Sequence, residues 1–173
     1  MTVITISGTP GSGKSTVCEI LKEKTNLHYI YSGMIFRNLA KKHKMTLAEF
    51  GKYCENNHEV DTELDENQLE ILQKGNVILE GRLAGWIAHQ NKINALKVML
   101  DTDMQTRAER IVKREEGNVE KRKKEIIERE KSEIARYKKY YDIDLKDISI
   151  YDLVIDTKNL TPDEIVSKIL EKI

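Results

Sequence analysis

The sequence predicts an α/β fold, a three-layer sandwich around a five-stranded parallel sheet, and three observations carry that reading. Short β-rich apolar runs recur at residues 2–7, 27–31, 76–80, 95–101 and 151–157, with segments of helical period between and after them. Such alternation wraps helices over both faces of a parallel sheet. The first run, Val3-Ile4-Thr5-Ile6, leads into the glycine-rich segment GTPGSGKS at Gly8 to Ser15, which opens into a helical stretch. With 173 residues the chain has room for one sizeable core and for no second large domain.

The first strand, loop and helix carry the clearest chemistry. Gly8 to Ser15 match G-x-x-x-x-G-K-[ST], in which successive backbone N–H groups point inward as an anion nest at a helix N-terminus. A polyphosphate fits such a nest, with Lys14 neutralising β- and γ-phosphate charge and the Ser15 hydroxyl ligating Mg²⁺. After the second strand, Ser32-Gly33-Met34-Ile35-Phe36-Arg37 is a small polar turn opening a helix with an arginine one turn in, which reads as a second anion site. From Ser32 to Lys74 the helical character runs longer than one crossover helix needs, so a helical substrate subdomain is expected there. Within it, Thr46 as N-cap and Glu49 as its capping-box partner start a further helix.

The third strand ends in Glu80-Gly81-Arg82 at the carboxyl edge of the sheet, where ligands bind in such folds. Glu80 can hold a water on Mg²⁺ and Arg82 can clamp a phosphate bidentately; the alternative is a plain Glu80–Arg82 loop ion pair. Behind the fourth strand, which ends at Asp101, Arg107, Arg110 and Arg114 share one helix face and can supply the cations that phosphoryl transfer needs. From Asn118 to Tyr141 the helical sequence is rich in Lys, Arg and Glu. Arg122, Arg129 and Arg136 recur every seven residues on one face, and Ile127, Ile134 and Tyr141 are expected to pack on another. The alternative is a solvated helix laced with pairs such as Glu125–Arg129 and Glu120–Lys124. Thr161-Pro162-Asp163-Glu164 reads as an N-cap, a proline at N1 and an acidic first turn opening the closing helix.

Composition narrows the partners. The 29 basic and 29 acidic side chains cancel, so no net field draws the chain to nucleic acid or an anionic membrane. No apolar run approaches a membrane span and no leader pattern is read at the N-terminus, so a soluble, cytoplasmic protein is expected. Cys18 and Cys54 form no C-x-x-C, and His28, His43, His58 and His89 show no metal-ligand spacing. Asn91-Lys92-Ile93-Asn94 lacks the aspartate of a guanine-reading N-K-x-D, which argues against a switch GTPase.

Taken together, the loop, S-G-x-x-x-R, the helical insertion, E-G-R, R-x-x-R-x-x-x-R, R-E-x-S-E-x-x-R-Y and the terminal D-L-V-I-D-T resemble the cytidylate kinases of the archaeal type over essentially the whole chain. That resemblance implies a P-loop nucleoside monophosphate kinase fold of one domain, 1–173, with an NMP-binding helical insertion at 32–74 and a helical lid at about 115–141. It implies transfer of the ATP γ-phosphate to CMP or dCMP with Mg²⁺, by a monomer acting on small molecules without nucleic acid or membrane. Residue by residue, Gly8, Thr9, Pro10, Gly11, Ser12, Gly13, Lys14, Ser15 and Thr16 would bind ATP, with Ser15 and, through water, Glu80 on magnesium. Ser32, Gly33, Arg37, Gly81 and Arg82 would hold the acceptor. Lys14, Arg82, Arg110, Arg114 and Arg129 would act on the transferring group, with Arg129 and Arg136 closing from the lid, and Asp156-Thr157 would lie beside the adenine. Related kinases often carry Asp where this chain has Glu80. Cytosine presents an N4 amine, for which Asp61 and Asp65 are candidate acceptors; Trp86 is a candidate base neighbour or a core residue. Two other readings stay open: an adenylate- or shikimate-type kinase, and an ATP-dependent RNA-processing or assembly factor.

Overall fold

A computed structural model describes residues 1–45, 49–50, 53–54 and 57–173, with the side chains of all of these except Asp61 and Ser132. Five strands, β1 (Val3–Gly8), β2 (His28–Tyr31), β3 (Val77–Glu80), β4 (Leu96–Asp101) and β5 (Leu153–Asp156), form one sheet in the order β2-β3-β1-β4-β5. Every pairing is parallel. Each strand lies within two residues of the run that predicted it. The expected sandwich is therefore present.

That period sorts the core into two layers. Ile4, Ile6, Ile78, Val98 and Leu100 face helices α1 (Lys14–Thr25) and α7 (Pro162–Leu170). Val3, Val77 and Leu79 face the other way, against α2 (Ser32–Lys42), α3 (His58–Lys74) and α4 (Ala84–Gln90). Burial on both faces is why the strands read as continuous apolar runs. Trp86 belongs to this second layer, which settles it as a core residue. Cys18 and Cys54 are free, buried thiols. Thr161 forms the full capping box with Glu164, with Pro162 at the helix start, as its sequence predicts.

Helices α5 (Met104–Glu115) and α6 (Val119–Tyr141) make a hairpin through a turn in which Glu116 and Gly117 both have positive φ. Arg107 meets Glu130, and Ile111 packs with Ile126, so the two helices run antiparallel. This packing corrects one part of the faces expected for α6: Tyr141 packs against the second core layer as expected, but Ile127 does not. Ile127 is 53% exposed, while Ile126, one residue earlier, is 3% exposed. The face carrying Arg122, Glu133 and Arg136 turns toward a polar cleft, while Tyr137 and Tyr141 at the end of α6 pack on the apolar layer. Arg129 pairs with Glu133, not Glu125, and Glu120 with Lys123, not Lys124. The expected helix start at Thr46 lies outside the described residues.

Candidate active site

The site grows from the carboxyl edge of β1. The chain leaves the sheet at Gly8 and turns back through Ser12, whose N–H donates to the Thr9 carbonyl at 3.2 Å. Gly11 and Gly13 hold φ of 82° and 94°, and α1 begins at Lys14. A Cβ on Gly11 would sit 2.7 Å from the Arg107 carbonyl oxygen, so α5 can close against the loop only over a glycine. Thr9 Oγ1 donates to Asp101 Oδ1 at 2.7 Å and ties the loop to the end of β4. On the far side, Ser12 O accepts from Thr157 Oγ1 at 3.0 Å. The loop is thus anchored at both shoulders, with its amides left to face a ligand.

Lys14 Nζ donates to the Thr9 carbonyl at 3.0 Å. Burial lowers its pKa from 10.5 to about 8, against the opposing pull of Glu80 and with a further push from Arg82 and Arg129. An ammonium held at that cost is poised for a polyanion. Beside it, Ser15 Oγ donates to Glu80 Oε1 at 3.1 Å, and Tyr29 Oη donates to Glu80 Oε2. Burial, then the bond to Glu80, pushes the Tyr29 phenol well above its usual range. Ser15 and Glu80 form an all-oxygen pair suited to a hard dication that keeps most of its waters. Among the described residues no group of three or more His, Cys, Asp or Glu side chains could hold a metal by itself.

Arg82 is not paired with Glu80. Its Nε donates to Glu133 Oε2 at 2.6 Å and its Nη1 to the Gly8 carbonyl at 2.9 Å. Glu133, 7% exposed, also accepts from Arg129 Nε at 2.9 Å. One carboxylate of α6 therefore gathers an arginine of the sheet edge and an arginine of its own helix. Next to Arg82, a Cβ on Gly81 would come 3.1 Å from Ser32 Oγ, so glycine lets α2 approach β3 closely.

Three cavities with shared walls adjoin these residues. One of about 460 Å³ contains Lys14, Ser15, Glu80, Arg82 and Arg129. A second of about 480 Å³ shares Ser32, Gly33, Arg82 and Arg129 with it and extends to Arg37, Asp65 and the rings of Phe36 and Tyr137. A third of about 380 Å³ lies behind the loop, between Gly11 to Val17, Arg110 and Arg114, and Leu160 to Ile165. The arrangement is a polar channel that shares walls with two more-apolar chambers. Such a channel accommodates two molecules whose charged ends meet at Arg82.

The expected residues separate accordingly. Gly8 to Thr16, Glu80, Gly81, Arg82 and Arg129 converge on the loop and its channel. Ser32, Gly33, Arg37, Asp65, Arg129 and Arg136 line the second chamber, where Arg37 bonds Tyr31 Oη and lies over its ring. Asp65 Oδ1 accepts from Gln68 Nε2 at 3.3 Å, and Arg136 Nη2 donates to Tyr137 Oη at 3.1 Å. The side chain of Asp61 lies outside those described. Arg110, expected at the transferring group, instead holds Thr157 through the hydroxyl at 2.8 Å and the carbonyl at 2.7 Å and lines the third chamber, not the channel of Lys14 and Arg82. Arg114, beside it, is tied to Glu115.

Arg107 departs from its expected role. It is 7% exposed and its guanidinium pairs with Glu130, so it braces the α5–α6 hairpin and lines none of the three cavities. Sequence reasoning held Glu133 only as a member of the R-E-x-S-E-x-x-R-Y pattern, with no role, and missed Tyr29. Glu133 stands four residues after Arg129 and three before Arg136, a spacing that puts all three on one face and could have flagged it. No local signal marks Tyr29.

Comparison with known proteins agrees with this geometry. Residues 3–159 match the model of the cytidylate kinase-like family. Over 161 residues the chain is 46% identical to a cytidylate kinase of Pyrococcus furiosus, covering 93% of this chain and 82% of the relative. It is 49% identical over 156 residues to a cytidylate kinase of Methanocaldococcus jannaschii, covering 90% of this chain and 88% of that one. Among solved structures, shikimate kinase from Aquifex aeolicus superposes with a TM-score of 0.61 at 18% identity, over 99% of this chain and 95% of its own, which is a likeness of fold.

Proposed function

This chain belongs to the cytidylate kinase-like family, and from that premise we propose that it transfers the γ-phosphoryl group of ATP to CMP or dCMP, giving ADP and CDP or dCDP. The observation that carries the reading is Arg82, which stands in the wall shared by the loop channel and the second chamber. The loop is a donor site and the second chamber an acceptor site, so an acceptor phosphate held by Arg37 and Arg82 lies in line with a γ-phosphate held by Lys14. An acceptor oxygen forms the new bond to phosphorus while the bond to the β-bridging oxygen breaks. Both leaving and attacking groups are anions, so no general base is required.

Each residue then has a task. Lys14, Arg82, Arg114 and Arg129 offset charge on the equatorial oxygens, and Arg110 with Thr157 shapes the chamber that takes adenine. The Ser15 hydroxyl and a water on Glu80 would hold magnesium, which supplies charge neutralisation across the phosphates when bound. Residues 32–74 form the acceptor-side insertion and about 115–141 the lid, whose arginines exclude water once both substrates are in place. Glu133 holds both Arg82 and Arg129, and an acceptor phosphate would take its place between them.

The acceptor test is ADP release from Mg·ATP across CMP, dCMP, UMP, AMP, GMP and shikimate, with a no-acceptor control. CMP-selective turnover is expected. Asp65, in the acceptor chamber, is suited to receive the cytosine N4 amine. In the same panel Asp65→Ala is expected to lower the CMP-to-UMP ratio about tenfold, the scale of one lost hydrogen bond to a charged group; an unchanged ratio assigns base reading elsewhere.

Lys14 gives a pH signature. Its depressed pKa of about 8 in the free protein rises when phosphate oxygens surround it. Binding of ADP then takes up protons between pH 8 and 10, and affinity falls as pH climbs through that window. Calorimetry at pH 8.5 in buffers of different ionisation heat should show net proton uptake. Zero uptake would show that Lys14 is already charged in the free protein or remote from the phosphates.

A further inference from the structure

Glu80 ends β3 with a side chain that has one more rotatable bond than aspartate, and a carboxylate that holds a metal-bound water must be fixed in direction. Both of its oxygens are engaged. Oε1 accepts from Ser15 Oγ at 3.1 Å, and Oε2 accepts from the phenol of Tyr29. The second bond follows from the register of the sheet. Tyr31 stands opposite Glu80 and Tyr29 opposite Ile78, so Tyr29 and Glu80 share a face and are offset by two residues along paired strands. A tyrosine ring spans that offset where a shorter side chain would not. Tyr29 also packs against the core layer that contains Ile78 and Cys18, which fixes the ring beneath the carboxylate.

We propose that Tyr29 is a positioning residue for magnesium: its hydroxyl holds one oxygen of Glu80 so that the other faces Ser15 and the water shell of the ion. The inference rests on the proposed loop-and-Glu80 magnesium site, and not on which molecule accepts the phosphoryl group. Ser15 alone restrains only one carboxylate oxygen and leaves the group free to swing about that bond. Tyr29 removes that freedom from the side opposite the ligand. It touches neither substrate nor the reacting atoms.

The test measures ADP affinity of the full chain by calorimetry, in EDTA and in saturating Mg²⁺, with no acceptor present. Tyr29→Phe keeps the ring and deletes the hydroxyl. Its ADP affinity in EDTA should match the unmodified protein, while the gain in affinity on adding Mg²⁺ should shrink about tenfold, the lower range for lost outer-shell support of a metal site. In a Glu80→Gln background the same Tyr29→Phe change should have no further effect on that gain, since the group it orients is no longer a carboxylate. An unaltered magnesium gain in Tyr29→Phe overturns the proposal. So does loss of ADP binding in EDTA, which would make Tyr29 a support of the fold. Because CMP takes no part in the assay, a failure of CMP as acceptor would leave this result intact.

Discussion

Arg82→Ala is expected to lower turnover by about three orders of magnitude or more while the chain remains folded. Arg82 borders both the loop channel and the acceptor chamber from the end of β3, and a guanidinium at the point of transfer is worth roughly 10³ to 10⁵ in rate in phosphoryl-transfer sites. The fold survives because Glu133, which Arg82 holds at 2.6 Å, keeps Arg129 as a partner at 2.9 Å. Removing an ion-pair partner without replacement would leave a buried charge uncompensated, and here that does not happen. Arg82→Lys keeps the charge but loses the fork that reaches Gly8 O and Glu133 together, so it should recover only a small part of the rate. Steady-state kinetics with circular dichroism checks both variants; near-normal turnover in Arg82→Ala would remove the residue from the transfer step.

Lys14→Ala is expected to lose turnover on a similar scale and yet to be at least as stable as the unmodified chain. The sign follows from its pKa. Burial holds Lys14 at about 8 in the folded state against 10.5 when exposed, so folding favours its neutral form. That costs stability fully at all pH values below about 8, and the cost is relieved as pH rises from 8 to 10.5. The shift corresponds to roughly 3 kcal/mol. Alanine removes the penalty along with the cation, the pattern of a residue kept for function against stability. Thermal melts at pH 7 should show an unchanged or higher midpoint for Lys14→Ala, with the difference shrinking towards pH 10. A clear loss of stability at pH 7 would show that Lys14 supports the fold through its bond to Thr9.

Much of this site is legible in the sequence because its chemistry is local. The loop works through successive backbone amides, so Gly8 to Ser15 specify it without reference to the rest of the chain, and the strand periods place Glu80, Arg82 and Asp101 at one sheet edge. The parts that were not legible depend on what faces what. Tyr29 meets Glu80 only because β2 pairs with β3 in a particular register. Glu133 meets Arg82 only because α6 crosses the sheet edge. The exposure of Ile127 has the same origin: charged faces usually meet water, but this stretch of α6 covers a polar channel, so Ile126 packs on Ile111 and Ile127 is left outside. Arg107, read with Arg110 and Arg114 as one cationic face, is turned by the same docking onto Glu130.

The central claim is that one phosphoryl group passes directly from a donor in the loop to an acceptor beside Arg82. Incubation with Mg²⁺, CMP and ATP labelled at the γ-phosphorus, followed by separation of products, tests it most directly. Label recovered in CDP, with little inorganic phosphate and with ADP formed in equal amount, is the expected result. Label recovered as inorganic phosphate, at a rate indifferent to CMP, would contradict it and make the chain a nucleotide hydrolase.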